Sequence, residues 1–179
     1  MRRAVFLDRD GVINRALVTN GKPHPPRSLN ELEILPDVSN AIESLHLAGW
    51  LLIVISNQPD VARGTTTIAD VEKINQYLLE NLALDEIRCC YHDDDDRCIC
   101  RKPLPGSLIA AAEVYGIDLA SSYMVGDRWR DIEAGERAGC ITIFLDCRYD
   151  EKQPESFNFK VHSLAEAADI ILRSGHEEC

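Results

Sequence analysis

Five short runs, apolar except for Glu86 and Arg88 in the third and Thr142 in the fifth, separated by segments of helical periodicity, constrain this chain more than any other feature. The runs are Ala4–Leu7, Leu51–Ile55, Glu86–Cys90, Tyr123–Val125 and Ile141–Leu145. A strand with one face in water alternates apolar and polar residues, whereas a strand covered on both faces does not. The pattern therefore predicts an α/β fold: a doubly wound, mostly parallel sheet with helices on both sides. The intervening helices are expected over Asp37–Ala48, Ile68–Leu82, Gly106–Tyr115 and Asp131–Ala138. Three of them stop at Gly49, Gly116 and Gly139, where glycine accepts the left-handed conformation that ends a helix. Ser163-Leu164-Ala165-Glu166 is a capping box and starts a last helix running to about Arg173. With 179 residues, 45% of them hydrophobic, the chain is expected to form one domain over 1–179 with no large cap domain.

Two segments break the alternation. Residues 14–35 contain Gly21-Lys22-Pro23-His24-Pro25-Pro26, too rich in proline for a helix or a central strand. Cys89 to Lys102 carries four cysteines and four successive aspartates, too polar for a core. Each follows a predicted strand, so each should overhang the carboxyl edge of the sheet, where open α/β sheets bind ligands.

The chemistry-bearing residues collect at that edge. Asp8 and Asp10, spaced i, i+2 after the first strand, place two carboxylates on one side of the backbone. Such a pair repels itself unless a cation intervenes, so a metal ion is the simplest resolution. Ser56-Asn57-Gln58 ends the second strand with donors suited to a phosphate oxygen. Asp127 follows the fourth strand and can reach the same metal, while Asp131 is expected to cap the next helix. Lys102, before another helix, could neutralise a carboxylate and a phosphoryl oxygen together.

In order, Asp8-x-Asp10-Gly-Val, Ser56-Asn57-Gln58, Lys102-Pro103 and Gly126-Asp127-x3-Asp131 resemble the four motifs of the haloacid-dehalogenase superfamily, over essentially the whole chain. The resemblance implies a phosphatase in which Asp8 attacks phosphorus and becomes transiently phosphorylated, and Asp10 serves as general acid and then base. It implies Mg²⁺ held by Asp8, the backbone carbonyl of Asp10 and Asp127.

Cys90-Tyr91-His92, five residues, then Cys98-Ile99-Cys100 offers three thiolates and one imidazole, the donor set of structural zinc. Cys89 could compete, but the Cys-x-His spacing favours Cys90. Asp93–Asp96 is read as a solvated turn, lacking the glycine and glutamate of a calcium loop. Cys140, Cys147 and Cys179 are read as ordinary free cysteines.

This loop, running into Arg101-Lys102-Pro103, is similar to the zinc-bearing branch that includes D-glycero-D-manno-heptose 1,7-bisphosphate phosphatases and histidinol-phosphate phosphatases. Ala62-Arg63-Gly64 looks more like the heptose enzymes. The resemblance implies substrate contacts from Ser56, Asn57, Arg101, Lys102 and Arg128, with Arg101 and Arg128 suited to a second phosphate. Gly21 to Arg27 departs from that pattern, so histidinol phosphate and other small phosphate monoesters stay as alternatives.

The balance of 19 Lys+Arg against 30 Asp+Glu gives −11 and argues against nucleic acid and anionic membranes as partners. A small phosphorylated sugar is the expected partner, and nothing requires more than a monomer. The run Ala4–Leu7 is cut off by Asp8 and does not make a secretion signal, which points to the cytoplasm.

Overall fold

The computed structural model describes residues 1–174, so Cys179 lies outside the described residues. Among these, β1 (Ala4–Leu7), β4 (Leu51–Asn57), β5 (Glu86–Cys90), β6 (Tyr123–Gly126), β7 (Ile141–Leu145) and β8 (Phe159–Val161) form one sheet in the order β5-β4-β1-β6-β7-β8. All its neighbours are parallel, with Val5 opposite both Leu52 and Tyr123. A separate antiparallel hairpin pairs β2 (Leu17–Thr19) with β3 (Lys22–His24).

Side chains alternate across a strand, and the two faces of β1 enter two cores. Val5 and Leu7 pack with Leu52, Val54 and Val125 against α1 (Val38–Leu47), α2 (Ile68–Asn81) and α5 (Leu164–Ser174). Ala4 and Phe6 pack with Ile53, Ile55 and Met124 against α3 (Gly106–Tyr115) and α4 (Trp129–Ala138). Every residue of β1 is buried, which is why its sequence shows no alternation. Replacing Phe6 by alanine would cost about 3–5 kcal/mol in such a site.

Local signals set the helix ends. Thr67 Oγ1 accepts from the backbone N–H of Asp70 at 3.1 Å and starts α2. Gly116 and Gly139 close α3 and α4 with φ of 65° and 85°. The fourth helix starts at Trp129, two residues before the expected Asp131, because Asp131 caps the turn from inside it. No helix among the described residues is long and apolar enough to cross a membrane.

β1 is flanked by β4 on one side and β6 on the other, so the chain leaves it in both directions. That reversal opens a crevice at the carboxyl ends of the three strands. Asp8, Ser56-Asn57 and Asp127 meet there.

Candidate active site

Asp8 follows β1 directly, and its backbone N–H donates to the carbonyl of Val125 at 2.9 Å, fixing it between two strand ends. Lys102 arrives from across the sheet. Its Nζ lies 2.6 Å from Asp8 Oδ1, 2.6 Å from Asp131 Oδ1 and 2.6 Å from the carbonyl oxygen of Ile55. The lysine is 1% exposed, and the negative charges of Asp131 and Asp8 outweigh burial and hold it protonated. Asn57 sets the approach: its Oδ1 accepts from the Lys102 backbone N–H at 3.1 Å, and its Nδ2 donates to the Lys102 carbonyl at 2.9 Å.

Asp131 does more than the capping expected of it. Its Oδ2 accepts from the Arg128 N–H at 2.9 Å as a cap, while Oδ1 holds Lys102. Gly126 makes room for it, since a Cβ there would stand 2.1 Å from Asp131 Cβ. Gly11, with φ +100°, does the same for Asp127: a Cβ would fall 1.8 Å from Asp127 Oδ2.

Carboxylate oxygens of Asp8, Asp127 and Asp131 lie within 4.8 Å of one another, and all three residues are buried. Burial, then the charges of Asp131 and Asp10, push Asp8 up to about 6 against the pull of Lys102. Burial, then Asp8 and Asp131, push Asp127 well above the carboxylate range. Both Asp127 carboxylate oxygens are buried with no hydrogen-bond partner among the described residues. One ammonium does not neutralise three buried carboxylates, and oxygen-only donors of this kind fit Mg²⁺. The Tyr149 hydroxyl stands in the same corner, pushed up by burial and by Asp127.

Asp10 is held by four N–H donors. Arg9 Nε and Nη2 reach its two oxygens at 3.1 and 3.2 Å, Asn14 Nδ2 at 3.0 Å and Gln58 Nε2 at 2.7 Å. Arg9 is fully buried and donates onward to Asn75 Oδ1 at 2.9 Å, anchoring the loop to α2. Gln58 also donates to Ser56 Oγ at 2.8 Å. Sequence reasoning gave Gln58 a phosphate-binding role and missed both it and Arg9 as supports of Asp10.

Above the carboxylates lies a pocket whose wall includes Lys22, Asn57, Arg63, Arg101, Arg128 and Arg130. Arg101 Nε donates to Asp94 Oδ1 at 2.8 Å, and Arg128 Nη2 to Glu151 Oε2 at 2.6 Å. Arg63 forms a fork onto Asp93 with both contacts at 2.7 Å. The aspartate run is an exposed turn as expected, with Asp94, Asp95 and Asp96 open to solvent, but its first two carboxylates also pair with arginines. Asp93 pairs with Arg63, 30 residues away in sequence, and Asp94 with Arg101 of the same loop.

Cys90, His92, Cys98 and Cys100 come together with their donor atoms within 4.8 Å. Cys90 Sγ lies 3.0 Å from Cys100 Sγ and 3.6 Å from Cys98 Sγ, and His92 Nδ1 lies 3.3 Å from Cys100 Sγ. Cys89 points elsewhere and accepts from Asn75 Nδ2 at 3.3 Å. Cys140 is buried and Cys147 partly buried, both as free thiols.

A six-stranded parallel sheet with a carboxylate cluster and a buried lysine at its carboxyl edge defines a class of hydrolase, and sequence and structure comparisons agree on it. The HAD-hydrolase-like family matches residues 99–167. The D-glycero-beta-D-manno-heptose-1,7-bisphosphate 7-phosphatase of Escherichia coli strain K12 is 36% identical over 183 residues, covering 96% of this chain and 88% of that one. The Helicobacter pylori strain J99 protein of the same name is 32% identical over 177 residues, covering 94% and 97%. Among solved structures, D,D-heptose 1,7-bisphosphate phosphatase from B. bronchiseptica, complexed with magnesium and phosphate, superposes with a TM-score of 0.81 at 31% identity. It covers 96% of this chain and 99% of its own. The chain belongs to the haloacid-dehalogenase superfamily, in the same family as these phosphatases, and is a phosphoric monoester hydrolase.

Proposed function

We propose that this protein removes the C7 phosphate of D-glycero-D-manno-heptose 1,7-bisphosphate through an aspartyl-phosphate on Asp8. The observation that carries the reaction is the Lys102 ammonium shared between Asp8 and Asp131 at 2.6 Å each, on the floor of a pocket walled by arginines. The relatives named above support the substrate, as do the arginines, which suit a second phosphate better than they suit the amine of histidinol phosphate.

Asp8 attacks phosphorus as the leaving alkoxide departs, and Lys102 offsets the charge that would otherwise keep a carboxylate from a phosphate dianion. Asp10 gives a proton to that alkoxide. It then takes a proton from the water that attacks the phosphorus of the aspartyl-phosphate, releasing phosphate and restoring Asp8. The donors on Asp10 orient its carboxyl group, and one of them must release its oxygen whenever that oxygen carries the proton being transferred. Mg²⁺, held by Asp8, Asp127 and the Asp10 carbonyl, would supply Lewis-acid stabilisation of the phosphoryl oxygens. Ser56 and Asn57 border the reacting phosphate, Asn57 chiefly by fixing Lys102, and Arg101 and Arg128 hold the second phosphate.

Zinc at Cys90, His92, Cys98 and Cys100 staples the loop that carries Arg101 and Lys102. The chain is proposed to act as a single domain and a monomer in the cytoplasm.

Turnover with Mg²⁺ on heptose 1,7-bisphosphate, heptose 7-phosphate and histidinol phosphate tests this reading. A kcat/KM highest on the heptose bisphosphate is expected. A preference for histidinol phosphate would overturn the substrate, and a fully active Asp8→Asn protein would overturn the mechanism.

A further inference from the structure

The chain carries a net charge of −11, yet one pocket gathers Lys22, Arg63, Arg101, Lys102, Arg128 and Arg130, six of its 19 cationic side chains. Lys22, Arg63 and Arg130 have no task in the proposed reaction, and of these Arg130 is the one that hydrogen-bonds the same carboxylate oxygen as Arg101. Arg130 is the second residue of α4, in the first turn, where the helix dipole disfavours a cation unless an anion is close by. Its guanidinium lies 4.8 Å over the Trp129 ring, and the Lys152 ammonium lies 4.4 Å from the same ring. The anion it meets is Asp94. Asp94 Oδ1 accepts from Arg130 Nη1 at 3.3 Å and from Arg101 Nε at 2.8 Å, so one carboxylate oxygen brings two guanidinium groups together.

We propose that Arg130, acting with Arg101, binds the second phosphate of the substrate, and that Asp94 occupies this subsite until that phosphate displaces it. The proposal rests on the bisphosphate reading above and adds a specificity residue and a place-holder to it. A phosphate offers more oxygens and more charge than a carboxylate to a pair of planar forks, so exchange favours the phosphate. Asp94 is placed to leave, its side chain being 56% exposed, whereas Glu151, which holds Arg128, is 12% exposed. Until it leaves, Asp94 keeps the two guanidinium groups aligned, which lowers the ordering cost of binding.

The test measures the ratio of kcat/KM on heptose 1,7-bisphosphate to kcat/KM on heptose 7-phosphate in the parent, Arg130→Ala and Asp94→Asn proteins, with Mg²⁺ present. The ratio in Arg130→Ala is expected to fall about 10- to 100-fold, the worth of a charged hydrogen bond. In Asp94→Asn the KM for the bisphosphate is expected to fall about threefold, because a neutral amide competes less well for two guanidinium groups. A parent protein that favours the bisphosphate while Arg130→Ala keeps the same ratio would overturn this proposal alone. A KM that rises in Asp94→Asn would overturn the place-holder role. A parent protein with no preference for the bisphosphate would overturn the substrate reading, and this subsite with it.

Discussion

The ammonium of Lys102 meets the carboxylate of Asp8 at 2.6 Å, joining two residues 94 positions apart in a place almost closed to water. Removing one partner of a buried ion pair strands the other. Lys102→Met should therefore destabilise the metal-free protein by about 3–5 kcal/mol. It should also lower kcat by roughly 10²–10³, the usual loss when one preorganised charge is taken from a reaction centre. Chemical denaturation and steady-state kinetics check the two effects separately.

Asp10 and its supports should split by kinetic signature. Asp10→Asn removes the proton carrier and should cost roughly 10²–10⁴ in rate. Gln58→Leu leaves the carrier but removes the 2.7 Å hydrogen bond to it, so kcat should fall about tenfold with KM little changed. A rise in KM with constant kcat would move Gln58 to substrate binding.

Stability should depend on pH through the carboxylate cluster. In the metal-free protein Asp8 is raised from 3.8 to about 6 by burial first and then by Asp131. The fold thus favours its protonated form. That contribution is fully present below the unfolded value and is lost as pH rises through about 6. Metal-free protein should accordingly lose stability between about pH 4 and pH 7, and Mg²⁺ should raise Tm more at pH 7.5 than at pH 5. Thermal melts with Mg²⁺ or with a chelator at the two pH values provide the check.

The thiolate cluster should separate from the magnesium site. Protein purified without added metal should hold about one zinc per chain, and Cys98→Ser should lose it together with stability and activity, with no rescue by Mg²⁺. Cys89→Ser should keep zinc, because the Cys89 thiol faces Asn75, away from the other four donors. Elemental analysis of the two variants decides the matter.

Much of this arrangement was legible in the sequence, for physical reasons that also explain the gaps. Strands such as Ala4–Leu7 declare themselves because burial on both faces removes every polar residue, and Gly116 and Gly139 mark helix ends. The motif aspartates were placed correctly because they follow those strands directly. The β2–β3 hairpin was hidden by Pro23, which sits opposite Val18 in a short two-stranded ribbon that tolerates it. Its signal was Asn20-Gly21, whose φ values of 52° and 74° make the tight hairpin turn that this dipeptide favours. The three-residue strand β8 exposes two of its residues and carries no comparable mark. The second role of Asp131 and the pairing of Asp93 with Arg63 and of Asp94 with Arg130 were beyond reach, since each depends on which strand ends become neighbours.

The central claim is that Asp8 carries the phosphoryl group. Acyl phosphates are reduced by borohydride, so quenching the enzyme with borohydride during turnover should convert residue 8 from aspartate to homoserine, detectable by peptide mass. A covalent mechanism predicts homoserine at position 8 only when substrate and Mg²⁺ are both present, and far less of it in the slow Lys102→Met protein. Continued turnover with no homoserine at position 8, or with the label on another carboxylate, would contradict it.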